Sequence, residues 1–107
     1  MKALSEQQIR VAVEWWKQTI LDHRKTAFHP MTDDQIDRFG EKLDQIIRTE
    51  QFAEYPRLGS EYGPWGALKD ALDDPAIRSS NFPWHTIMWF DDGGVQVGYG
   101  PRRQKVL

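Results

Sequence analysis

Apolar residues recur at helical spacing in two long stretches of the chain, then switch to strand-like alternation near its end. Ile9, Ala12, Val13, Trp16 and Ile20 form one stripe, widened by Trp15 and Leu21. Ser5 followed three residues later by Gln8 is a capping box, so the first helix opens there and runs to about His23. Thr32 and Gln35 repeat the device, with Asp33 and Asp34 in the first turn. Ile36, Phe39, Leu43, Ile46 and Ile47 carry this second helix to near Glu50. Gly40 lies inside it at a cost near ~1 kcal/mol relative to Ala, which predicts close packing against the first helix. Tyr55–Gly59 reads as a loop. Trp65, Leu68, Ala71 and Leu72 form a third, shorter stripe that starts at Pro64 and stops at Asp73-Asp74-Pro75.

The alternating segment is Phe82–Phe90, answered after Asp91-Asp92-Gly93-Gly94 by Val95–Gly100. It predicts a β-hairpin in which Phe90 faces Val95 and Met88 faces Val97. Thr86, Met88, Phe90, Val95, Val97 and Tyr99 then share the core face. His85, Ile87 and Trp89 fall on the other face, over Gln96, Gly98 and Gly100. Large groups on both sides of one strand call for cover on the second side. Either Arg57–Tyr62 or the C-terminal tail adds a strand there, or the face is a recognition surface. The fold class that results is α+β. Two long antiparallel amphipathic helices and a third short helix pack on a C-terminal antiparallel β-hairpin or small sheet. Residues 1–107 read as a single compact domain, with 101–107 as a basic tail free to fray.

Composition narrows the function classes. Lys and Arg number 14 against 16 Asp and Glu, a net charge of −2, which argues against direct duplex-DNA binding. With no Cys there is no disulfide framework, thiolate nucleophile or Cys-based metal site. His23, His29 and His85 do not fall at metal-ligand spacing, and no phosphate loop or nucleophile motif is present. Catalytic, cofactor and metal sites are therefore not expected. No apolar run approaches a membrane span of ~20 residues and no signal peptide is evident, so the expected location is the cytoplasm.

Two sets of residues remain as candidate partner-binding groups. Trp84, His85, Ile87 and Trp89 belong to the hairpin. Asp33, Asp37, Glu41 and Asp44 form an acidic stripe along the second helix, which would meet a basic partner or else be a solvated face offset by Arg38, Lys42 and Arg48.

Ser5–Ile9 leading to Trp15-Trp16, Tyr62-Gly63-Pro64 at the centre, and Phe82–Phe90 with Val97–Gly100 form a combination similar to small hypothetical proteins of phages and prophages. That resemblance implies a context: such accessory proteins often inhibit bacterial defence, as anti-CRISPR proteins do, by occupying a surface of a larger host complex. It carries over no residue roles. The resulting expectation is a non-enzymatic protein, in the cytoplasm of a bacterial host, that inhibits a host protein or ribonucleoprotein complex by protein–protein contact. The alternatives are a nucleotide-signal sponge, with Trp84, Trp89 and Tyr99 stacking on a base, and a structural protein that forms a homodimer through the open hairpin face.

Overall fold

A computed structural model describes residues 3–107. Both capping boxes form as the sequence predicts. The Ser5 hydroxyl accepts from the Gln8 N–H and the Gln8 side chain accepts from the Ser5 N–H, opening α1 (Glu6–Asp22); Thr32 and Gln35 do the same for α2 (Asp33–Ile47). Three ion pairs fix how the helices lie. Arg24 just past the end of α1 meets Asp33 at the start of α2, Lys17 meets Asp37 at 3.5 Å, and Arg48 at the end of α2 reaches back to Glu6. The pair is thus antiparallel. Gly40 is where α2 meets Lys17: a Cβ there would come within 2.7 Å of Lys17 Cδ. Trp16, Ile20, Phe39, Leu43 and Ile47 are essentially fully buried in the common core.

The second helix ends earlier than expected. It stops at Ile47, and Thr49 caps a separate short helix, α3 (Glu50–Glu54), its hydroxyl accepting from the Phe52 N–H at 3.1 Å. The third predicted helix is also shorter. Pro64 and Trp65 form a strand instead, and α4 covers only Ala67–Asp70, after Gly66 has turned the chain at φ +58°.

The strands are β1 (Arg57–Ser60), β2 (Pro64–Trp65), β3 (Thr86–Phe90), β4 (Val95–Tyr99) and β5 (Arg102–Lys105). They form one antiparallel sheet in the order β2-β1-β3-β4-β5. The hairpin register is the one the sequence predicts, with Phe90 opposite Val95 and Met88 opposite Val97. The sheet corrects the reading of Tyr55–Gly59 as a loop and of the tail as free to fray, and it bears out the alternative of an added strand at both edges: Arg57–Ser60 pairs with β3 and Arg102–Lys105 with β4. The tail is held beyond β5 as well: Val95 exchanges backbone hydrogen bonds with Leu107 at 2.9 and 3.2 Å.

The helices cover one face of the sheet. Leu58, Met88, Phe90, Val95 and Val97 point into the core shared with α1, α2 and α4. Gln8 joins the layers. It is 3% exposed, and its amide donates to the backbone carbonyls of Asp91 at 2.8 Å and Gly94 at 3.0 Å. One side chain therefore caps α1 and clamps the β3–β4 turn to it. On the loop before α2, buried Asn81 plays a similar part. It accepts from the Met31 N–H at 2.9 Å and donates to the carbonyls of His29 and Arg78.

Gln8→Ala leaves two carbonyls without their donor and removes half of the cap, so it should destabilise the protein by about 1–3 kcal/mol in urea denaturation. A loss below ~0.5 kcal/mol would mean the clamp contributes nothing.

Asp73 gives a second test. Lys42, and then Arg38, hold its carboxyl below the ordinary value of 3.8. A carboxyl lowered in the folded state contributes stability above the ordinary value and loses it as pH falls through the lowered one. Asp73→Asn should therefore flatten the acid limb of the Tm–pH curve below about pH 4. Superimposable acid limbs would contradict this.

Candidate functional site: the outer face of the sheet

Strand alternation places Arg57 and Gly59 of β1, Trp65 of β2, Ile87 and Trp89 of β3, Gln96 and Gly98 of β4, and Arg103 and Lys105 of β5 on the face away from the helices. Register arranges them in two rows. Trp65, Gly59, Ile87, Gly98 and Arg103 lie across the sheet in one; Arg57, Trp89, Gln96 and Lys105 lie in the other.

The face is partly closed by its own residues. The Trp65 indole lies directly over Gly59, where a Cβ would meet ring atoms at 2.1 to 2.9 Å. The Arg103 guanidinium stacks on Trp89, 3.9 Å from the ring centroid, and Arg57 stands 4.7 Å over Tyr55. Trp65, Ile87 and Trp89 are left half-buried. The sequence places Gly98 beneath Trp89, but the structure gives that glycine another reason. A Cβ on Gly98 would sit 1.8 Å from the Arg102 carbonyl oxygen, so the glycine admits the backbone of β5.

At the end of the sheet where β3 begins, four rings gather. His85 is 5.2 Å from Tyr62, 6.2 Å from Trp84 and 4.9 Å from Tyr99 between ring centroids, and Tyr62 meets Trp84 edge-on at 5.7 Å. Tyr62 is 72% exposed, Trp84 65% and Tyr99 47%, so the cluster protrudes into solvent. The backbone explains how it forms. The His85 N–H donates to the Glu61 carbonyl at 3.1 Å, tying the β1–β2 turn to the start of β3. His85 itself takes φ +49°. That left-handed turn removes it from strict alternation and brings its ring to Tyr99. Tyr99, expected on the core face, is instead 47% exposed. Glu61 Oε2 lies 3.9 Å from His85 Nδ1, which has no hydrogen-bond partner among the described residues.

The predicted binding residues thus separate into two groups. Ile87 and Trp89 lie on the outer face, with Trp84 and His85 at its end. Asp33, Asp37, Glu41 and Asp44 lie on α2, in the layer on the opposite side of the sheet. Their charge is largely answered within the helix layer: Asp33 by Arg24, Asp37 by Lys17 and Asp44 by Arg48, whose guanidinium is held protonated by Asp44 and Glu6. Arg38 and Lys42, expected to offset that stripe, are turned to Asp73. The structure adds Tyr62, Tyr99, Trp65, Arg57 and Arg103 to the surface. Among the described residues, no three His, Asp or Glu side chains gather as a metal site, and no helix is long and apolar enough to cross a membrane.

No protein-family model matches this chain, and no curated protein or solved structure matches it either. The functional argument therefore rests on the chain's own geometry.

His85 tests whether the cluster imposes the backbone turn. A left-handed conformation costs a residue with a Cβ about 1–2 kcal/mol, and glycine escapes that cost. Both His85→Gly and His85→Ala lose the ring. His85→Gly should nevertheless be the more stable of the two by about 1 kcal/mol in thermal or urea melts. The reverse order, usual within a strand, would show that residue 85 is not held at positive φ.

Proposed function

We propose that this chain is a non-enzymatic accessory protein of phage origin that blocks a host defence complex, as anti-CRISPR proteins do, by docking its exposed aromatic cluster on that complex. The observation that carries the reading is the exposure of Tyr62, Trp84 and Tyr99 in mutual contact around His85. Large aromatic groups left together in water are an uncompensated cost for an isolated small domain, and Trp and Tyr are the residues most often found as anchors at interfaces. The cluster is braced by the Glu61–His85 backbone bond and by edge-on ring contacts, so its side chains lose little freedom on docking. The similarity of Phe82–Phe90 and its companion segments to small phage proteins supports the biological context.

The test is a plaquing assay in bacteria that carry active defence systems, CRISPR systems included. Expression of the chain should raise phage plaquing efficiency in at least one host. A Tyr62→Ala, Trp84→Ala double variant should lose that protection at equal protein level and nearly equal Tm. The partner recovered from that host should bind the variant at least ~30-fold more weakly, as loss of about 2 kcal/mol at a buried anchor implies. No protection in any host, or full protection by the double variant, would overturn the reading.

A further inference from the structure

The outer face next to the cluster carries a different chemistry. Arg57 of β1 and Arg103 and Lys105 of β5 project from it, and Arg102, opposite Tyr99, falls on the alternate side of β5. All four are exposed, and none belongs to an ion pair among the described residues. The nearest carboxylates stand at the two ends of the face: Glu61 lies 3.9 Å from His85, and Asp91 accepts from the Gln96 amide at 3.3 Å. The acidic stripe of α2 belongs to the other side of the sheet. A chain of net charge −2 thus carries three cations outside any ion pair among the described residues, Arg57, Arg103 and Lys105, on the flanks of this one face. An occupant of that face is an anion.

The aromatic groups between the cations specify which anion. Trp65 rests on Gly59 and is only partly buried, which leaves it able to serve as a platform. Trp89 carries the Arg103 guanidinium at 3.9 Å, a stacked pair that holds a planar cation in place and leaves its N–H donors unspent. Platforms and fixed guanidiniums side by side on a sheet are the two components that bind a strand with unpaired bases: the rings stack on bases and the cations meet phosphates. A duplex keeps its bases stacked on one another and cannot use the platforms. An acidic peptide would satisfy the cations and leave Trp65 idle.

We infer that the outer face of the sheet, from Trp65 to Lys105, binds single-stranded nucleic acid, with Trp65 and the Trp89–Arg103 pair stacking on bases and Arg57 and Lys105 meeting phosphates. This surface is separate from the aromatic cluster, and the inference stands whether or not the chain blocks a defence complex.

Fluorescence anisotropy with labelled 12-nucleotide U and dT strands, a 12-base-pair duplex and a poly-Glu peptide decides it. Binding of at least one single strand is expected, with tighter binding to the U strand identifying RNA and to the dT strand DNA. Two phosphate contacts imply a loss of affinity of about 7-fold between 50 and 200 mM salt. Lys105→Gln, on an exposed edge strand, should weaken binding and lower the salt slope without changing Tm, and Arg103→Gln should weaken binding as well. Trp65→Ala should weaken it by about 5–100-fold, and Trp65→Phe, which keeps a ring over Gly59, should recover most of that loss. The Tyr62→Ala, Trp84→Ala variant should bind the strands as the unaltered protein does. Absence of binding to both strands at 100-fold excess protein over probe in 50 mM salt would overturn the inference, as would a duplex or poly-Glu affinity equal to that for the strands. Loss of phage protection with strand binding intact would count against the cluster's role alone.

Discussion

The central position of β3 constrains everything else in this molecule. It pairs with β1 on one side and β4 on the other, and its residues alternate between two surfaces of opposite fate. Met88 and Phe90 go to the helices, where the row Leu58–Met88–Val97 lies beneath the common core. Ile87 and Trp89 necessarily go to the other side. A slip of one residue would send the indole into the helix layer and Met88 out of the core, so the burial of Met88 and the outward side of Trp89 are one decision. Gln8 reinforces it by fixing the β3–β4 turn to the start of α1.

Five short strands leave little material to cover the second face, and the chain covers it from within. Gly59 and Gly98 are the means. At Gly59 the absent side chain lets the Trp65 ring lie on the sheet; at Gly98 it lets the β5 backbone approach. Stacking of Arg103 on Trp89 then removes part of the second indole from water while keeping a charge on the surface. The outcome is a face that is stable without a partner and still rich in rings and cations. The charged residues of β5 also protect an edge strand from pairing with another copy.

How far the sequence could be read depended on where apolar periodicity was present. The caps, the two long helices, the hairpin register and the opposite sides of Met88 and Trp89 all follow from side-chain spacing and from Ser5, Gln8, Thr32 and Gln35. Arg57-Leu58-Gly59-Ser60 and Arg102-Arg103-Gln104-Lys105 show no such alternation. They become strands because β3 and β4 each offer an unpaired edge, a tertiary cause that the sequence signals only through the hairpin's need for cover on its second side. Trp65 could be taken for a helix residue because Trp65, Leu68 and Leu72 sit at helical spacing. Gly66 was the available signal against it, a residue able to turn the chain before a helix begins. The aromatic cluster was half visible: Trp84 and His85 stood out beside the hairpin, but the positive φ of His85 and the approach of Tyr62 and Tyr99 depend on the fold.

The distribution of charge carries the functional argument further than its total does. Overall composition weighs against nucleic acid, because it averages the carboxylates of α2 with the guanidiniums of β1 and β5. The fold separates them. Acids on α2 pair with cations of the same layer, so Asp33, Asp37 and Asp44 offer a partner little unspent charge. Arg57, Arg102, Arg103 and Lys105 form no ion pair among the described residues. An exposed ion pair that must be broken before binding returns little, whereas a cation already positioned on an aromatic ring has met part of its ordering cost in advance. The sheet side of the molecule, and not the acidic helix that was the second candidate in the sequence, is therefore the side equipped to bind.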